Sequence, residues 1–113
     1  MELAEELEST AAWRRDVAAR YPEDERHIEA ANRLDRLAAE VRALENSALA
    51  TRLLELYESL DAVDGYLLVE AASEYRRQIG FWEFPVNGEE YLKDLIDLQK
   101  DLRRDFRRRR SEA

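Results

Sequence analysis

Carboxylates are the most abundant groups with chemistry to offer in this chain of 113 residues, 26 Asp and Glu against 18 Lys and Arg. The set whose spacing could act is Glu58, Asp61 and Asp64, at i, i+3 and i+6, with Glu40 or Glu45 reaching in from a preceding helix. Magnesium suits such a set, because it takes one or two carboxylates and leaves its other positions to water and substrate phosphates. The chemistry would be that of a divalent-metal-dependent enzyme acting on a phosphorylated small molecule. A helical wheel counts against it. Glu58 lies opposite the apolar stripe, Asp61 well off it, and only Asp64 borders it. The three diverge, and a solvated helix face accounts for them better, since charged helix residues are mostly exposed.

His27 is the one histidine. It falls inside the apolar sector of its helix with Glu23 at i−4 and Asp24 at i−3, as a metal ligand or general base would. A helical di-iron site needs two Glu-x-x-His elements and two further carboxylates. One histidine cannot supply that within a single chain, so a hydrogen-bonded histidine at the core edge is the stronger reading. There is no cysteine, which removes thiolate metal sites, disulfides and a cysteine nucleophile together. No Ser stands in a Gly-x-Ser-x-Gly elbow, and three scattered glycines cannot form a phosphate-binding loop. No cofactor is expected.

Two features remain that could bind. Phe81, Trp82 and Phe84 place three large aromatics within four residues of a loop. They either plug the open end of the fold or, if exposed, anchor a partner. Spacing favours Phe81 and Phe84 in the core with Trp82 nearer the surface. The other feature is the Arg-rich end, where Arg107, Arg108, Arg109 and Arg110 follow Arg103 and Arg104. Gln99–Ala113 carries seven Lys and Arg against three Asp and Glu, a charge of +4, so a chain of net charge −8 keeps −12 on the remainder. That end could hold nucleic acid or an acidic partner, but an acidic body repels nucleic acid. A basic run at a helix carboxyl end also complements the helix dipole.

The elements that must position these groups are helical. Few Gly and Pro, many Ala, Leu, Glu and Arg, and little Val, Ile or Thr describe an all-α protein. Leu3, Leu7, Ala11, Ala18 and Tyr21 share one sector of a first helix, which Pro22 closes. Ile28, Ala31, Leu34, Leu37, Ala38, Val41 and Leu44 mark a second, with Pro22 and Glu23–Glu25 in its first turn. Asn46 or Ser47 can cap a third, carrying Leu49, Leu53, Leu56, Leu60, Val63 and Leu67. That phase runs on through Asp64-Gly65 into Ala71 and Tyr75, which predicts one long helix bent near Gly65. The competing reading is two helices, with Asp61 as the second N-cap. Asn87 with Glu90 resembles a capping box opening a last helix through Tyr91, Leu92, Leu95, Ile96, Leu98, Leu102 and Phe106.

The expected architecture is an antiparallel bundle of about four helices in a single domain over residues 1–113, frayed at the basic end 107–113. The acidic N-terminus lacks a signal-peptide core, and no apolar run is long enough to span a bilayer, so the expected setting is cytoplasmic. Long amphipathic helices leave apolar edges that a second copy would cover, so a homodimer is expected. The favoured function is a small non-enzymatic helical protein acting through protein–protein association. The carboxylate-based metal enzyme and nucleic-acid binding through the Arg-rich end are the alternatives.

Overall fold

The computed structural model describes residues 3–79 and 85–112, with side chains through Asp105. Five helices and no strand occur among the described residues: α1 Leu3–Arg20, α2 Arg26–Ala43, α3 Ala48–Glu58, α4 Ala62–Gln78 and α5 Gly88–Glu112. The all-α class holds, while the expected count of about four is corrected to five. The extra helix arises where one long helix was expected.

Helices α1 and α2 form an antiparallel hairpin. Glu8 pairs with Arg42 and, two turns further along α1 and two turns back along α2, Arg15 pairs with Asp35. Ala11, Ala31 and Ala38 are fully buried between them, and such small residues let the helices close. Glu25 is the N-cap residue of α2 and makes no side-chain cap bond, while Asp24 before it accepts from Arg26 N at 3.2 Å, so the helix starts after the acidic run instead of within it. Tyr21 and Ile28 flank the turn and are exposed, contrary to the wheel. Helix α5 packs against α2, α3 and α4, and its Tyr91, Leu92, Leu95 and Ile96 join Leu7, Leu34, Val41 and Leu53 in one core.

The break between α3 and α4 has a local cause. Ser47 caps α3 by accepting from Ala50 N at 3.2 Å, and at the other end Ser59 Oγ donates to the Leu56 carbonyl at 2.8 Å. Asp61 then takes an extended conformation, ψ 173°, and its carboxylate accepts from Asp64 N at 2.8 Å. Side chains that bond the backbone locally end one helix and start the next. Gly65 lies in the first turn of α4, past the break, and a β-carbon there would meet only Leu60 at 3.9 Å, so packing does not require glycine at that position.

At the start of α5, Asn87 accepts from Glu90 N at 2.9 Å while Glu90 accepts from Val86 N at 3.2 Å, a box displaced by one residue on its return bond. Gly88 sits against α2, its N–H donating to Glu40 at 2.7 Å. A β-carbon at Gly88 would lie 2.8 Å from Glu40 Cβ and 3.0 Å from its carbonyl carbon. Gly88→Ala is therefore expected to destabilise the fold by about 1–3 kcal/mol, as overpacking does. Urea denaturation of that variant checks it, and an unchanged midpoint would contradict the packing.

Candidate functional surface

Helix α4 turns an unusual set of residues inward: Asp64, Leu68, Ala72 and Arg76. Polar partners fix this setting. The Arg76 guanidinium, 8% exposed, pairs with Glu6 of α1. Tyr75 donates to Asp94 of α5 at 2.8 Å and stacks on Tyr91 with centroids 6.1 Å apart. Burial pushes the Tyr75 hydroxyl far above the usual phenol range, with the hydrogen bond to Asp94 adding to it. Burial pushes Tyr57 up as well, against the pull of Arg76.

Because α4 is held by these bonds, the apolar stripe inherited from α3 faces outward. Leu53 and Leu56 are buried, but Val63 is 69% exposed, Tyr66 64% and Leu67 39%. The expectation that Val63 and Leu67 continue the core stripe is thereby corrected. A stripe one position out of step on a helix rotates by about 100°, which carries it off the core face. Glu70 is exposed one turn beyond it, Glu58 and Asp61 are exposed at the α3–α4 junction, and exposed Glu74 pairs with Arg77.

Beside this face an open groove of about 440 Å³ runs between α1 and α4, with Ser9, Thr10 and Ser73 on its walls and Arg76 at its floor. Glu6 occupies the guanidinium, and Glu5 and Glu70 line the groove too, so it offers no uncompensated positive charge to an anion.

The carboxylates considered for a metal do not meet. Glu58 ends α3 exposed, Asp61 is a helix cap, and Asp64 is buried on the inner side of α4. Glu40 is engaged by Gly88, and Glu45 is exposed at the end of α2. No group of three or more His, Asp or Glu able to hold a metal ion occurs among the described residues. His27 Nδ1 lies 3.2 Å from Arg14 Nη1. A guanidinium only donates, so Nδ1 accepts and the ring proton sits on Nε2, which faces Asp24 at 3.6 Å. Arg26 hydrogen-bonds that carboxyl and holds it well below the usual range. The imidazole is thus a bridge between α1 and the first turn of α2.

Phe81, Trp82 and Phe84 lie outside the described residues. Arg107, Arg108, Arg109 and Arg110 fall on the last turns of α5, with their side chains outside the described set. Among the described residues no helix is long and apolar enough to cross a membrane. The outward face of α4 and the Glu6–Arg76 pair were not legible as sites. Their only signal was the local pair Ser59 and Asp61, which marks a helix break and so a change of phase. Compared with protein-family models, with curated proteins and with solved structures, the chain gives no match.

Proposed function

We propose that this chain is a non-enzymatic association module whose contact surface is the outward face of α4, and that it self-associates. The observation that carries this reading is the exposure of Val63, Tyr66 and Leu67 on successive turns of one helix. Isolated exposed apolar residues are ordinary, but a contiguous set rimmed by polar groups marks an interaction surface. An aromatic at its centre strengthens the case, since Tyr is enriched among the residues that anchor interfaces. Leaving the stripe outward loses burial worth about 1.5–3 kcal/mol per large side chain, which a covering partner restores. Of the carboxylates that could have argued for catalysis, Asp61 caps a helix, Asp64 is buried on the inner side of α4, Glu40 accepts from Gly88, and Glu58 and Glu45 face water.

Sedimentation equilibrium at micromolar concentration tests it. The expected result is about twice the 13.3 kDa chain mass. Tyr66→Lys combined with Leu67→Lys should give monomer with unchanged helical circular dichroism. A wild-type chain that stays monomeric at every concentration defeats the reading.

A further inference from the structure

Stable interfaces bury about 800 Å² on each partner, more than three side chains on one helix supply. The contact on α4 therefore needs a second contributor, and one end of this molecule has the matching character. We propose that the outward face of α4 receives the basic carboxyl-terminal end of α5 from a second copy of the chain. This rests on the self-association reading above and names its occupant.

The charge layout points there. The end from Gln99 is +4 and the rest −12, and on the outward face of α4 exposed Glu70 stands one turn from Tyr66 and Leu67, with Glu58 exposed at the end of α3, while Glu74 pairs with Arg77 and Asp61 caps the helix. The shape points there too. Helix α5 has 25 residues, about 37 Å at 1.5 Å per residue. Its last hydrogen bond to another helix among the described residues is made by Arg103, which reaches the Leu56 carbonyl at 3.1 Å and Ser59 Oγ at the end of α3. Beyond it the helix continues to Glu112, with Arg104 and Asp105 exposed, in a molecule 48 Å long but only 23 Å thick. Leu98 and Leu102 are half-buried, and the sequence repeats the apolar step at Phe106, so an apolar register runs into the Arg run.

A second copy is the occupant that two-fold closure favours. Within one chain α5 lies on the side of α4 that carries Tyr75, through the Tyr75–Asp94 bond and the Tyr75–Tyr91 stack. The same helix passes its own α3–α4 junction, where Arg103 meets Leu56 and Ser59, and sedimentation separates seating on its own α4 from exchange between copies. Two copies exchanging these ends about a two-fold axis bury two such contacts at once and close the assembly.

Full-length charge-reversal variants, followed by sedimentation velocity, test the proposal. Reversing the end (Arg107→Glu, Arg108→Glu, Arg109→Glu) or the α4 surround (Glu58→Arg, Glu70→Arg) should each weaken self-association roughly tenfold, as loss of several ion pairs does. Combining both sets should restore it. The wild-type dimer should also weaken between about 0.05 M and about 1 M salt, as screening requires. If the reversed end leaves the dimer intact and salt-insensitive while Tyr66→Lys abolishes it, the α5 assignment is overturned and the α4 surface stands. A wild-type monomer overturns both, including one whose Arg-rich end instead binds a short oligonucleotide.

Discussion

Replacing Glu6 by alanine is expected to cost about 3 kcal/mol of folding stability, although Glu6 is one of many acidic residues on a strongly charged chain. The reason is its partner. Arg76 is 8% exposed on the inner side of α4, and Glu6 neutralises it from α1. Removing one member of a buried pair leaves an uncompensated charge and costs about 3–5 kcal/mol. Glu6 itself is 32% exposed, so water reaches the site in its absence and the lower end of that range applies. Asp35→Ala is the control. It breaks the Arg15–Asp35 pair, whose side chains are both more than 40% exposed, and should cost no more than about 1 kcal/mol. Arg76→Met removes the charge and keeps most of the volume, so it should be milder than Glu6→Ala. Urea denaturation of the three variants gives the comparison. Equal costs for Glu6→Ala and Asp35→Ala would show that burial of Arg76 does not govern the pair.

That pair also shows why part of this fold was legible in the sequence and part was not. Helices α1, α2 and α5 each bury one apolar stripe, and Leu7, Leu34, Val41, Leu92 and Leu95 sit inside as their spacing requires. Ser47 and Asn87 cap helices because their chemistry acts within three residues. Periodicity fails in α4. Its inner face carries Asp64 and Arg76, and its outer face carries Val63, Tyr66 and Leu67. The deciding partners, Glu6 and Asp94, are 70 and 19 residues away from the α4 residues they hold, and no local pattern encodes such pairings. The apolar phase that runs from Leu49 to Tyr75 in the sequence is broken in the structure by Ser59 and Asp61. Both are legible cap residues, but their signal was outweighed by an apolar run that continues past them. The candidate surface follows from that break, since its residues read as core until α4 is turned.

Above about pH 10 the native state is expected to lose stability steeply, and Tyr91 accounts for much of the loss. Tyr91 is fully buried on α5, and burial is the main cause of its hydroxyl being pushed up to about 12, with the nearby Arg76 guanidinium pulling the other way. In the unfolded chain the same group titrates near about 10. Below about pH 10 both states hold the proton, and the contribution is fully present. Between about 10 and 12 the unfolded chain releases its proton while the native state keeps it. The native state then binds more protons, and stability falls as pH rises. A separation of about two pH units corresponds to roughly 3 kcal/mol, lost by the time the native value is passed. Tyr75 and Tyr57, raised in the same direction, add to the slope. Tyr91→Phe isolates the effect. The Arg76 guanidinium lies close to the Tyr91 hydroxyl but makes no hydrogen bond of ordinary geometry with it, so removing the hydroxyl should cost no more than about 1 kcal/mol at neutral pH. At alkaline pH the variant should overtake the wild type, by up to about 3 kcal/mol near pH 12. Urea midpoints measured across the alkaline range for both proteins decide it, and parallel curves would assign the alkaline loss to other groups.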